Sequence, residues 1–139
     1  SSPPQFNAKG REDDSDAIVA VMDNAHEFVH ISVMDYMPAT IYRTSNNNTY
    51  WPKLDNAIRA TAYRGVNVRL LVSHWKYSRP EMIYFLKSLL EINDGTSNWA
   101  GDYFINTAGV GISFISSTHV NLLNEIFVRD WASKYAKTV

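Results

Sequence analysis

Three consecutive residues, His74-Trp75-Lys76, carry the groups that a phosphate-cleaving centre needs. On an extended strand side chains alternate, so positions 74 and 76 share one face. An imidazole there can attack phosphorus, while the neighbouring ammonium neutralises the phosphate oxygens as charge builds on them. Glu81 follows closely enough to orient such an imidazole. The HxK pattern is short, and the plainer reading, polar lining at the C-terminal mouth of a strand, is preferred. A second element, Gly95-Thr96-Ser97-Asn98-Trp99, can present turn N–H groups and the Asn98 amide to an anion. Taken alone, it is equally an ordinary turn.

The remaining candidates point to less. The histidines are His26, His30, His74 and His119. None pairs with another four residues away on a helix and no HExxH occurs, so metal catalysis finds no support. GxSxG, GxxxxGK[ST] and GxGxxG are absent, which removes the usual hydrolase, P-loop and dinucleotide readings. Asp13, Asp14 and Asp16 invite a metal, but carboxylates at the start of a helix are favoured there by its dipole, and that reading is preferred. Asn47-Asn48-Thr49 is an acceptor pattern for an N-linked glycan at Asn47, relevant only if the chain enters the secretory lumen. Trp51, Trp75 and Trp99 have the faces to stack on nucleic-acid bases; a core role is preferred for them at a net charge of −1.

That charge arises from 13 Lys+Arg against 14 Asp+Glu in 139 residues. The balance excludes the basic excess of a dedicated nucleic-acid-binding arm, and a polyanionic tail as well. The length suits one domain or part of a larger one, with roughly two-thirds of the unfolded surface buried on folding. Hydrophobic residues make up 45% and aromatics 13%, the balance of a packed globule. With no cysteine there is no disulfide, thiolate metal site or Cys nucleophile. No apolar run reaches the length of about 18 residues that spans a bilayer. The start, SSPPQFNAKG, lacks the pattern of a signal peptide and reads as an internal start.

The elements that must position these residues follow an α/β order. Ile18, Val21, Met22 and Ala25 fall at helical spacing, with Asp14 or Ser15 as cap. Phe28–Tyr36 alternates as a strand. An asparagine-rich loop, Ala39–Tyr50, leads to a helix opened by Trp51-Pro52 and running to about Arg64, with Leu54, Ala57, Ile58 and Ala62 inward and Gly65 as its C′ residue. Val66–Trp75 is a second strand whose Leu70-Leu71-Val72 run suits a parallel sheet covered on both faces. A third helix covers Pro80 to about Ile92. Ala108–Ser116 reads as a third strand, and a last helix, Val120–Tyr135, is capped by Ser117 or Thr118 and carries the stripe Val120, Leu123, Ile126, Phe127 and Trp131. The fold class is therefore α/β, a mostly three-strand sheet with flanking helices. The helices offer more apolar surface than three strands can cover, which points to missing partner strands.

The stretches SSPPQF, AVMDNA, ISVMDYMP, YWPKLDNAIR, RGVNVRLLVSHW, GTSNWAGDYFINTAGVG and IFVRDWASKYA resemble the carboxy-terminal half of type 3 and type 4 members of the phospholipase D superfamily. The resemblance covers almost the whole chain. It implies two α/β repeats, each with an HxKx4D motif followed by G-[ST]-x-N. The two His then share one site, one as nucleophile and the other as general acid, and Lys and Asn hold the phosphate. It further implies phosphodiester hydrolysis, as a 5′ exonuclease on single-stranded nucleic acid or in phospholipid processing. No cofactor is implied. The implied setting is the endolysosomal or secretory lumen, with glycosylation and a membrane anchor outside this chain.

The chain departs from that pattern where the chemistry lies. LLEIND runs directly into GTSNW, so the strand with the second HxKx4D motif is absent and several tens of family residues are missing between Asp94 and Gly95. Residues 1–139 thus read as one partial domain in two parts, 1–94 and 95–139. Asn98 is the retained phosphate-binding remnant. His74 and Lys76 imitate the lost motif, but thirteen residues separate Glu81 from Gly95, and the family motif belongs to another strand. The expectation is a chain that is catalytically inactive alone and unstable unless a partner covers the gap, either a full-length relative or another copy of itself. Loss of central strands costs more than the net stability of about 5–15 kcal/mol that a domain possesses.

Overall fold

The computed structural model describes residues 3–42, 49–90 and 115–139. After a short 3-10 turn, Pro4–Phe6, the described elements are α1 (Asp14–Asp23), β1 (Phe28–Val33), α2 (Lys53–Tyr63), β2 (Asn67–Val72), α3 (Glu81–Leu90) and α4 (Ser117–Trp131). The chain is mixed α/β, as its pattern of residues predicts. Among the described residues the sheet has two strands rather than three. β1 and β2 run parallel in continuous register from Phe28 opposite Asn67 to Val33 opposite Val72. The expected third strand, Ala108–Ser116, lies outside the described residues except for Ile115 and Ser116, which precede α4 without strand structure.

The register sorts the side chains onto two faces, because paired residues in a parallel ladder point the same way. Val29 and Ile31 join Val68, Leu70 and Val72 in the main core with Met22 of α1, Leu54, Ala57 and Ile58 of α2, and Met82, Leu86 and Leu89 of α3. The other face carries Phe28, His30 and Ser32 beside Asn67, Arg69 and Leu71. It is the face that α4 covers: the Phe127 ring stacks on His30 at 4.7 Å, and Trp131 stacks on Phe127 at 5.7 Å. The His30 Nδ1–H donates to Asn124 Oδ1 at 2.7 Å, and Arg69 sits over the Trp131 ring.

Several local expectations require correction. β1 stops at Val33, before Tyr36, and β2 stops at Val72, before Trp75. The pairing ends when Ser73 N–H has bonded to Val33 O, and the chain then turns. In α1 the N-cap position belongs to Asp13, and its side chain accepts no capping bond from the helix N–H groups. Ser15 instead turns inward and accepts a bond of 2.8 Å from Lys53, whose ammonium also reaches Asp16 at 2.6 Å, tying α1 to α2. Val21 points to solvent at 64% exposure, whereas Ile18 and Val19 pack against the core. In α4, Ser116 is the cap and accepts from His119 N–H. Gly65 does end α2 with a positive φ of 84°, as the sequence predicts.

The apolar stripe of α4 is the largest departure. Phe127 is buried, but Val120, Leu123 and Ile126 are 45%, 59% and 48% exposed. A helix that touches the sheet along one narrow seam leaves the adjoining flank uncovered, since residues three and four apart span only part of the circumference.

Candidate functional site

The carboxyl ends of two parallel strands form the usual place for chemistry in an open α/β sheet. Here those ends are Met34-Asp35-Tyr36 after β1 and Ser73-His74 after β2. The His74–Arg79 loop stands above them. Trp75 N–H donates to Ser78 Oγ at 2.9 Å and Ser78 N–H donates to Trp75 O at 3.0 Å, which closes a tight turn. The same-face argument for His74 and Lys76 therefore fails, because both lie beyond the extended backbone that imposes a two-residue period. Each is exposed. Lys76 Nζ rests 5.3 Å from the Tyr77 ring centroid, and no hydrogen bond or ion pair joins His74 to Lys76 or Glu81. Asn98, Trp99, Asn47 and the Asp94–Gly95 junction all fall outside the described residues.

The other candidates separate by surroundings. His26 is exposed at the end of the α1–β1 connection, His119 bonds Ser116 at the α4 cap, and His30 is held between sheet and helix. Trp51 packs against the main core as expected. Trp75 does not: it is 51% exposed, because β2 has ended and the turn carries the indole away from the sheet.

Tyr36, just after β1, belongs to a polar network that the sequence patterns do not reveal. The Tyr36 hydroxyl, fully buried, donates to Asp55 Oδ1. Arg59 donates from Nε to Asp55 Oδ2 at 2.6 Å and reaches Ser88 O and Ser88 Oγ at 3.2 and 3.1 Å. Three pieces of chain, the end of β1, α2 and α3, are thereby fixed together. Asp55 and Arg59 stand four residues apart on α2, a spacing visible in the sequence; the third partner, Tyr36, is not. Burial, then the hydrogen bond to Asp55, hold the Tyr36 phenol far above the ordinary tyrosine range. The Asp55 hydrogen bond likewise raises the Arg59 guanidinium.

A pH dependence follows. A phenol with a raised pKa in the folded state contributes stability that is complete below the unfolded value of about 10 and lost as pH rises above it. Denaturation followed against pH should show stability falling above pH ~10 by up to about 1.4 kcal/mol per unit from this group. Tyr36→Phe should remove that part of the slope; an unchanged slope would show that other groups govern it.

Beside β2 lies an open cleft of about 1470 Å³. Its floor is Leu70, Leu71 and Val72, one wall is α3, and the other is the end of α4 with the C-terminal tail to Val139. His74 lies on its lining.

Comparison with known proteins places this arrangement. Residues 1–102 match the family described as "PLD3/4, PLD-like domain". A Caenorhabditis elegans protein named Probable phospholipase D F09G2.8 is 41% identical over 184 residues, covering 99% of this chain and 33% of its own length. The Xenopus laevis 5'-3' exonuclease PLD3 is 38% identical over 188 residues, covering 99% and 38%, and the human 5'-3' exonuclease PLD4 is 36% identical over 186, covering 98% and 36%. The chain thus spans well under half the length of these relatives. The matches run over 184 to 188 residues where this chain has 139, so several tens of the relatives' positions have no counterpart here. On this match, and with the α/β architecture that carries it, the chain belongs to the PLD3/4 branch of the phospholipase D-like proteins.

Proposed function

We propose that this chain is a non-catalytic relative of phosphodiester-cleaving enzymes, lacking the second His/Lys pair on which hydrolysis depends. The carrying observation is the length difference: the relatives have tens of aligned positions that this chain lacks, and LLEIND joins GTSNW without an intervening HxK. The domain is then a partial one, 1–94 and 95–139, joined across a lost segment, with Asn98 the remaining member of its phosphate site. The exposed, mutually unbonded His74 and Lys76 supply no substitute. In a working pair the base must orient the nucleophile within hydrogen-bond reach.

The relatives' names include exonuclease and phospholipase D, and the family resemblance makes the ancestral substrate a phosphodiester in single-stranded nucleic acid or phospholipid. By the same kinship, the proposed compartment is the endolysosomal or secretory lumen, with Asn47 as a glycan acceptor and a membrane anchor outside this chain. No described helix is long and apolar enough to cross a membrane. Incubation of the chain with a single-stranded oligonucleotide bearing a free 5′ end, at acidic pH, should give no shortened product. Turnover that His74→Ala abolishes would overturn the proposal and make His74 a nucleophile.

A second reading, an interaction module that pairs with a full-length relative or with itself, is favoured by the uncovered flank of α4. Leu122, Leu123 and Ile126 are each about half exposed on neighbouring turns, more apolar surface than scattered single residues explain. Co-purification with a relative at fixed stoichiometry would support it; a soluble monomer at high concentration would count against it.

A further inference from the structure

At the amino end of β2, away from His74 and the carboxyl ends of the strands, lies a second open-sided cavity, of about 320 Å³. Asn67, Val68, Arg69 and Trp131 are on its lining. Arg59, Arg64, Arg79 and Arg129 each hold an oxygen elsewhere in the fold. Arg69 does not. It is half-buried, it sits over the Trp131 ring at 5.6 Å from the centroid, and no hydrogen bond or ion pair engages it among the described residues. The five donors of a guanidinium lie in its plane, whereas an aromatic ring meets its face, so Trp131 holds the group without using its N–H groups. Asn67 shares that face of β2, roughly 7 Å along the strand, and its side-chain amide is likewise unbonded among the described residues. The backbone adds a third donor. Asn67 and Ser73 N–H groups bond to Glu27 O and Val33 O, so every second N–H of β2 faces β1 and those between, Val68 among them, face away. No described strand takes that edge.

We propose that this cavity binds a carboxylate, held by the Arg69 guanidinium and assisted by the Asn67 amide and the Val68 N–H. A carboxylate is planar and accepts two parallel bonds from a guanidinium fork, with lone pairs left for further donors. The charge favours it over phosphate: one cation without a counter-ion balances a monoanion, whereas a phosphate dianion needs a second. Asp130, beside Trp131 in the chain, does not fill the role, because it is paired with Arg129 at 2.8 Å. The volume is at the small end for ligand sites, which suits a small organic acid or the terminal carboxylate of a peptide. The ring contact already restrains the Arg69 side chain, so less of its freedom is lost on binding. This inference goes beyond the non-catalytic reading and does not depend on it, since the cavity uses neither His74 nor Lys76 nor Asn98.

The test is a titration of the full chain, labelled with nitrogen-15, with sodium benzoate, followed by two-dimensional NMR. The backbone amides of Asn67, Val68 and Arg69 and the indole N–H of Trp131 should shift together and saturate. Benzamide, the neutral analogue, should shift them little. Arg69→Gln should weaken benzoate about tenfold or more, the loss expected for a hydrogen bond to a charged group. Asn67→Ala, which removes an exposed and unbonded side chain, should weaken it severalfold with the spectrum otherwise unchanged. Arg69→Lys keeps the cation over Trp131 but lacks the fork, and should fall between the parent and Arg69→Gln; it also serves if Arg69→Gln loosens α4. A short peptide with a free carboxyl terminus, set against its amidated form, separates the sources: tighter binding of the free peptide than of benzoate assigns the site to a chain terminus, and the reverse assigns it to a small acid. Shifts that do not saturate, equal binding of benzamide, or undiminished binding in both Arg69 variants would overturn the proposal. Tighter binding of inorganic phosphate than of benzoate would overturn it in favour of a phosphate site. Activity on an oligonucleotide bears on the non-catalytic reading alone and leaves these outcomes unaffected.

Discussion

Replacing Asp55 with Ala should cost about 3–5 kcal/mol, the loss expected when one partner of a buried charge pair is removed. Asp55 is 5% exposed and accepts from both Tyr36 and Arg59. Truncation leaves the guanidinium, among the described residues, with its Ser88 contacts, and deprives the fully buried phenol of its Asp55 acceptor. Since a domain holds about 5–15 kcal/mol in total, the change consumes a large part of it. Urea denaturation of Asp55→Ala against the parent measures the loss. A double-mutant cycle with Tyr36→Phe should give a coupling of about 0.5–3 kcal/mol, as residues in one network are not additive. A loss below about 1 kcal/mol would mean that water reaches the site and that α2 and α3 are joined by apolar packing alone.

Phe127→Ala should release α4 from the sheet. Phe127 is the buried residue of that helix, and it joins the stack from His30 to Trp131. Phe→Ala in a packed site costs about 3–5 kcal/mol. Here the cost should fall locally, because α4 meets the sheet through one seam while the main core lies on the opposite face. Hydrogen exchange should show α4 amides losing protection as those of β1 and β2 keep theirs, the behaviour of a separately opening unit. Equal loss in all three would show that α4 belongs to the same cooperative unit as the core.

The Tyr36–Asp55–Arg59 network ties the segment after β1 to α2 and α3. The α4 seam sets one wall of the cleft.

The sequence by itself determined the α/β class, the order of the described elements, the end of α2 at Gly65 and the family. These rest on local physics: apolar period, proline and glycine geometry, and motif residues that stay adjacent in the chain. It also exposed the junction of LLEIND with GTSNW, which is a matter of covalent order alone. Tertiary structure decided where each strand stops, and so removed His74 and Lys76 from a common strand face and turned Trp75 toward solvent. It decided that Tyr36 would meet Asp55 and that His30 would meet Asn124, partners far apart in the chain whose pairing no periodicity encodes. It also decided that, among the described residues, the apolar side of α4 meets the sheet along Phe127 and Trp131, because how much of a helix is buried depends on what the rest of the fold places against it.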